Sequence, residues 1–242
     1  MSRVLVTGSA QGLGRAAANQ LLTQGHETVV HVRDRTREPA VADLVARGAD
    51  VVSGDLADLR EVRRLADRLD DLGPLDAVIH NAGVIGGPAL LHVNVVAPYL
   101  LVASMQPANR LIFLSSGMHR GGRADVAGID WSKGDSRSYS DSKLFITALS
   151  CALAREVPQT LSNAVDPGWV PTRMGGPSAP DDLALGHETQ VWLATSDDAD
   201  ARTTGGYWYH RQRRQPHPAA HDERFQSQLL ASLAEWTGQA IT

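Results

Sequence analysis

Lysine is nearly missing from this chain. Of the 23 lysines and arginines among 242 residues, only Lys133 and Lys143 are lysine. Arginine supplies the strong positive charge everywhere else, so the two exceptions are candidates for a task that arginine does not perform. Cysteine is rarer still: Cys151 stands alone, which excludes an intramolecular disulfide. No stretch approaches the ~20 apolar residues of a membrane span. Met1-Ser2-Arg3 runs straight into Val4-Leu5-Val6 with no apolar stretch ahead of it, so no secretory leader is expected. Positive charge is not in excess either: 27 acids outweigh the bases and leave a net charge of -4, which argues against nucleic-acid binding as the main task. His217 and His221 have helical spacing, but Pro218 lies between them and no acid completes a metal set. These absences point to a soluble, cytoplasmic protein with no nucleic-acid, membrane or metal partner.

What is present is enough apolar sequence, 43% of the residues, for one sizeable core. Short β-rich apolar runs at residues 4–6, 28–32, 77–80, 111–114, 163–165 and 207–209 alternate with helical patterns. The helical patterns cover 15–24, 40–47, 59–72, 90–104, 139–155 and 181–194. Such alternation predicts βαβ units: an α/β, single-domain, Rossmann-type doubly wound parallel sheet with helices on both faces. No repeat or linker divides the chain. One domain over 1–242 is expected, with a C-terminal tail from about 210 in which 210–217, rich in Arg, Gln and Pro, reads as irregular and 221–236 as a final amphipathic helix.

The first apolar run ends in Thr7-Gly8-Ser9-Ala10-Gln11-Gly12-Leu13-Gly14, and a helical pattern follows. Glycines let a backbone turn tightly and approach a pyrophosphate, and a helix N-terminus presents free N–H groups to the phosphates. A glycine-rich turn alone is a modest signal; strand before and helix after is the context it requires. Four more motifs follow in order: Gly54-Asp55-Leu56, Asn81-Ala82-Gly83, Tyr139-Ser140-Asp141-Ser142-Lys143, and Pro167-Gly168 with Thr172. Together they resemble the short-chain dehydrogenase/reductase (SDR) family over roughly residues 3–238. The resemblance implies cofactor contacts from Gly8, Ser9, Gln11, Gly12, Leu13 and Gly14, an adenine contact from Asp55 and Leu56, and further contacts from Asn81, Ala82, Gly83, Tyr139 and Lys143. It also implies that Pro167, Gly168, Val170 and Thr172 hold the nicotinamide.

The second strand would end beside the adenosine ribose. Where NAD-preferring relatives carry an acid, this chain has Val32, with Arg33 next and Asp34 beyond. The planar fork of arginine suits a phosphate, which favours NADP(H) over NAD(H). Arg33 as a solvated strand end, or Asp34 at the ribose, are the competing readings. Gln11 stands where many NADP-dependent relatives have a second base.

The resemblance implies a hydride transfer between nicotinamide and an alcohol or carbonyl substrate, with Tyr139 as acid/base. An unperturbed tyrosine pKa of ~10 is too high for exchange at neutral pH, and a cation four residues on, on the same helix face, is expected to lower it; Lys143 fills that place. Ser116, the second of Ser115-Ser116, is implied as the hydroxyl that bonds the substrate oxygen. Asn94 is implied as the fourth member, bonded to main chain and relaying protons towards Lys143. A strand-end hydroxyl or a structural amide are the plainer readings of these two.

Two departures lie on the substrate side. The segment from Gly83 to Asn94 is shorter than usual in the family, with Pro88 expected to start the next helix. The segment from Ser116 to Tyr139 is longer. With His119, Ile129-Asp130-Trp131 and Gly205-Gly206-Tyr207-Trp208, the long form resembles the retinol-dehydrogenase-like branch. His119 reads as a surface-loop histidine, with substrate contact or proton traffic as the alternative, and Arg211 to Arg214 as solvated, with an anion or a partner as the alternative. Trp131, Trp169 and Met174 are possible pocket walls, or packing residues. A homodimer or homotetramer is expected, because the family packs the helices that here carry Asn94 and Tyr139 against partner copies. A nonenzymatic NADP-binding regulator and a sugar-nucleotide lyase or epimerase are the alternative functions on this scaffold.

Overall fold

The computed structural model describes residues 1–241. Its eight strands form one sheet in the order β3-β2-β1-β4-β5-β6-β7-β8. They are β1 (Arg3–Val6), β2 (Glu27–Val32), β3 (Asp50–Ser53), β4 (Ala77–His80), β5 (Arg110–Leu114), β6 (Leu161–Asp166), β7 (Tyr207–Tyr209) and β8 (Gln212–Arg214). Every neighbouring pair is parallel except β7 and β8. The helices are α1 (Gly12–Thr23), α2 (Ala42–Ala46), α3 (Leu59–Asp71), α4 (Ala97–Ser104), α5 (Tyr139–Glu156), α6 (Leu183–Thr195) and α7 (Glu223–Thr237). Alternate strand residues point to opposite faces. Leu5, Val29, Val78 and Phe113 pack under α3, α4, α5 and α7, whereas Val4, Val6, Ile79 and Ile112 pack under α1, α2 and α6. This is the doubly wound arrangement that the alternation predicts.

Local sequence explains the helices that carry the site. In α3, Val62, Leu65, Ala66 and Leu69 make one buried stripe, with Asp58 capping the N-terminus through Arg60 N. The start of α5 is fixed by a reciprocal capping box between Ser138 and Asp141, which sets where Tyr139 begins. Strand order reverses between β1 and β4, and the loops after such a switch point form the ligand crevice in open α/β sheets.

Several boundaries differ from the sequence reading. β3 lies in a stretch with no assigned strand; it is four residues long and its exposed Asp50 hides the pattern. Residues 210–217 are not wholly irregular: β7 and β8 form a hairpin whose two turn residues, His210 (φ 47°) and Arg211 (φ 58°), are both left-handed. Two-residue hairpins need that geometry, and Arg211 N is held by Thr189 Oγ1 at 3.0 Å. Pro88 lies in a turn, and helix begins at Leu90. It then passes through a π-helical stretch, His92–Val96, before α4.

The helix faces expected to meet partner copies are covered by the chain itself. Residues Asp141 to Leu153 of α5 are all buried, with Phe225 of α7 5.9 Å from Phe145 between ring centroids. Tyr99 of α4 donates to Gln239 O at 2.7 Å, and Gln239 Nε2 donates to Ala103 O at 3.0 Å. Within one copy of the chain, α7 and the residues after it therefore pack against α5 and α4. Among the described residues no helix is long and apolar enough to cross a membrane.

Candidate active site

A cleft of about 320 Å³ runs along the C-terminal ends of the central strands. Gly8 (φ 71°) and Gly12 (φ 59°) turn through the left-handed region, which glycine alone adopts without strain. A Cβ on Gly14 would collide with the Asn81 amide and lie 2.6 Å from Gly8 O. At the N-terminus of α1, Gln11 is extended, forms no side-chain cap, and no acid stands in the first turn. The N–H groups there are thus left for an anion, and the cradle fits a dinucleotide pyrophosphate. Gly8, Gln11, Gly12, Leu13, Arg33, Asp55, Leu56, Asn81, Ala82, Gly83, Tyr139, Lys143, Pro167 and Thr172 all line the cleft.

Four expected contacts stand behind the lining. The Ser9 hydroxyl is buried and donates to Val6 O at 2.6 Å. Gly14 supplies closeness to Asn81. Gly168 (φ 81°) makes the turn after β6, where a Cβ would meet the Asp181 carboxylate at 2.5 Å. Val170 is buried beneath Gly186.

Sequence reasoning missed His31 and Arg37, both on the cleft wall. His31 accepts from Gly8 N at 3.1 Å and bonds Gly54 O at 2.9 Å. Arg37 comes from the 3-10 turn Arg35–Val41, in a loop whose course no periodicity reveals; its signal was the alternation Arg33, Arg35, Arg37. Arg33 pairs with Asp34 at 3.0 Å. Arg33 reaches the cleft and Asp34 is not among its lining residues.

At the other end, Lys143 Nζ lies 5.5 Å from the Tyr139 ring centroid and donates to Leu114 O at 2.7 Å. The Ser116 hydroxyl is near the Tyr139 phenol and favours its charged form. Ser115 lines the cleft but its hydroxyl is taken, Oγ lying 2.7 Å from Thr147 Oγ1; Ser116 and Asn94 stand behind the lining, and Ser116 is the serine that acts on the Tyr139 phenol. Asn94 sits in the π-helical stretch, a feature that often marks functional sites. Its Oδ1 accepts from Val84 N at 2.9 Å, and its Nδ2 donates to Val84 O at 2.9 Å and Ser142 Oγ at 3.0 Å. A Cβ at Gly83 would lie 3.4 Å from Asn94 Oδ1 and 3.6 Å from Lys143 Nζ, in ordinary contact with both, so the three residues meet at one place.

The expectation that Lys143 lowers the Tyr139 pKa is not met in this arrangement. Burial pushes the phenol up to about 12, opposed by the Ser116 hydrogen bond and assisted by the Asp166 carboxylate. Burial also pushes the Lys143 ammonium down to about 8, with Asp166 opposing. Desolvation disfavours both charged forms and is the largest cause at each group.

The two loop departures compensate each other. Leu91 N donates to Gly134 O at 2.7 Å, and the His92 ring bonds Trp131 O at 2.6 Å. The long 116–139 segment thus packs over the start of the helix that the short 83–94 segment leaves bare. Trp131 is buried, with Nε1 donating to Ser232 Oγ at 2.8 Å, so it is a core residue and not a pocket wall. Met174 lines the cleft, and Trp169 is exposed two residues beyond Pro167. His119, expected on the surface, is fully buried. Among the described residues, no three His, Cys, Asp or Glu side chains gather as a metal set.

Fold and cleft define a dinucleotide-dependent oxidoreductase. The chain belongs to the short-chain dehydrogenase/reductase family: the short chain dehydrogenase family model matches residues 2–182. It is 36% identical over 254 residues to "Short-chain dehydrogenase chry4" of Gibberella zeae, covering 98% of each chain. It is 30% identical over 207 residues to "Retinol dehydrogenase 14" of Mus musculus, covering 71% of this chain and 62% of that one. In structure it is similar to a blue fluorescent protein from a metagenomic library solved with NADPH, at a TM-score of 0.69 and 24% identity, covering 86% of this chain and 95% of the other. The protein is an NAD(P)-dependent dehydrogenase/reductase.

Proposed function

We propose that this enzyme interconverts an alcohol and its ketone or aldehyde with NADP(H), using Tyr139 as acid/base, Ser116 to bond the substrate oxygen, and Lys143 and Asn94 behind them. The observation that carries the reading is Tyr139 with Lys143 5.5 Å from its ring, both lining one end of a cleft whose other end fits a dinucleotide, with Ser116 near the phenol. The nicotinamide supplies or accepts the hydride when bound. In the reducing direction the Tyr139 hydroxyl gives its proton to the substrate oxygen as that oxygen gains negative charge, and the Ser116 hydroxyl donates to the same oxygen. A phenol held well above neutral pH is a protonated donor, ready for that direction. Lys143 and Thr172 line the cleft and would hold the ribose and nicotinamide, and Asn94 bonds the backbone of Val84, which lines the same cleft.

The preference for NADP(H) rests on two guanidinium groups, Arg33 and Arg37, at the adenosine end of the cleft. A homodimer or homotetramer rests on the family resemblance alone. A cytoplasmic location rests on the sequence reading alone. The test is a panel of alcohols and carbonyls with NADP⁺ and NADPH, followed at the nicotinamide absorbance band. No turnover of any member, with cofactor bound, would favour a regulator over an enzyme.

A further inference from the structure

One imidazole bonds the C-terminal segment to the candidate active site. His119 lies in the 3-10 turn Gly117–Gly121, directly after the strand that delivers Ser116. It is completely buried. Its Nε2 lies 2.9 Å from the backbone N of His217, and its Nδ1 lies 2.8 Å from Ser116 O. A backbone N–H can only donate and a carbonyl can only accept. Nε2 is therefore the acceptor and Nδ1 carries the proton. Only this neutral tautomer satisfies both partners.

Ser116 depends on this ring. Its carbonyl accepts twice from His119, from the backbone N at 3.0 Å and from the ring. Its hydroxyl is free to serve Tyr139 and to cap Met118 N at 3.2 Å only while the backbone is held in this orientation. The ring is fixed in turn. It packs on Tyr207 at 4.6 Å between centroids, and the Tyr207 hydroxyl donates to Asp166 Oδ2 at 3.0 Å. Arg120 donates to Gln215 O at 2.5 Å, a second tie to the same segment.

We propose that His119 is a positioning residue for Ser116 and that residues 215–221 form part of the support of the active site. The proposal rests on the reading that Ser116 bonds the substrate oxygen. It has a pH signature. The groups that face the ring are Asp166, Arg120, His217 and Tyr207, and burial holds the His119 pKa below the ordinary histidine value. Protonation would turn Nε2 into a donor aimed at the His217 N–H. The Ser116 support and the hold on 215–221 should then fail together as pH falls.

Four variants separate the contributions. His119→Phe keeps a ring against Tyr207 and removes both hydrogen bonds. His119→Asn keeps a donor near the place of Nδ1 and loses the bond to His217. His217→Pro deletes the N–H at a residue whose φ of -56° already suits proline. His217→Ala keeps that N–H and removes only the ring's own 3.1 Å bond to Ala219 N. With NADPH and 4-nitrobenzaldehyde as the probe, His119→Phe should lower kcat about tenfold or more, because small displacements of reacting groups cost rates of that order, with KM and NADPH affinity nearly unchanged. His119→Asn should recover part of the loss, and His217→Pro should lose more than His217→Ala. Amide exchange over 215–221 should rise in His119→Phe and His217→Pro. ¹⁵N spectra of the imidazole should show Nδ1 protonated and Nε2 bare at neutral pH. A folded His119→Phe with parental kcat, or a proton on Nε2, would overturn the proposal. Should His119→Phe fail to fold, the His217 pair and the spectra decide. Ser116→Ala separates the two claims: full activity in that variant sinks the role of Ser116, while exchange and spectra still decide whether His119 holds its carbonyl.

Discussion

His31 Nδ1 accepts the backbone N–H of Gly8 at 3.1 Å, and the same ring donates from Nε2 to Gly54 O at 2.9 Å. One side chain from β2 thereby ties the first glycine of the phosphate turn to the residue before Asp55. Only the neutral ring does both, and burial pushes its pKa down to about 4. His31→Leu is expected to weaken NADPH about tenfold, in line with roughly 1–2 kcal/mol for losing one buried partner, without changing the substrate KM. Unchanged affinity in a fluorescence titration would remove His31 from the support of the turn.

Buried histidines also set an acid limit to stability. His31 is held near pKa 4 and His80 near 3, against 6.5 for an ordinary histidine, both by burial. As pH falls below 6.5 the unfolded chain binds protons that the folded chain refuses. Stability is therefore complete above that pH and is lost on acidification, by up to about 1.4 kcal/mol per pH unit for each ring. His80 is stacked on Phe113 at 4.6 Å, and among the described residues neither of its ring nitrogens has a hydrogen-bond partner. His80→Leu should raise stability at pH 7 and flatten the slope between pH 7 and 5 by about one proton. Urea unfolding at several pH values measures both, and a slope equal to the parent's would mean that His80 is not held neutral.

Arg33 and Arg37 should read the 2′-phosphate together. Arg33→Ala and Arg37→Ala are each expected to weaken NADPH by about an order of magnitude while leaving NADH little changed, since charge-assisted bonds to phosphate are the strong ones. Equal weakening of both cofactors would show that neither guanidinium meets the phosphate.

Tyr139→Phe should abolish turnover and leave NADPH binding nearly intact. Because burial pushes the phenol up to about 12, it stays protonated through the neutral range. Carbonyl reduction should then show no Tyr139 limb from pH 6 to 9, whereas alcohol oxidation should rise with pH over the same span. A Tyr139→Phe enzyme within about threefold of the parent rate, a small change on the scale of proton-transfer catalysis, would remove the hydroxyl from the reaction.

The motifs that line the cleft were legible because each is a local string with a backbone reason, such as the glycines of 8–14 or the spacing of Tyr139 and Lys143. The sheet was legible because buried strands alternate with helices. What escaped was set by distant partners. His119 looks like any loop histidine until β7 brings Tyr207 against it and the tail brings His217 N to its ring. Trp131 reads as a pocket wall until α7 supplies Ser232. The pKa of Tyr139 follows from how deeply the loops bury it, which spacing alone does not encode.

Lys143→Arg should be nearly as damaging as Lys143→Ala, although the charge is kept. The chain uses arginine almost everywhere else, and the structure gives the reason for this exception. Lys143 is buried, and its ammonium fits against Leu114 O at 2.7 Å with Gly83 and Asn94 close by. A compact ammonium leaves two further donors for neighbouring groups; a wide planar guanidinium in the same space would push the Gly83 and Leu114 backbones apart, and a misplacement of ~1 Å can cost about a hundredfold in rate. Proton exchange adds a second argument. Burial brings Lys143 down to about 8, near enough to neutrality to pass a proton, whereas arginine stays protonated at every working pH. Lys143→Arg should therefore lose kcat and also the part of the pH profile that lysine deprotonation shapes. Steady-state rates from pH 6 to 10, with NADPH binding measured separately, decide the matter. If the arginine variant keeps most of kcat and its pH profile, charge alone suffices at this position, and the argument from size and proton exchange is wrong.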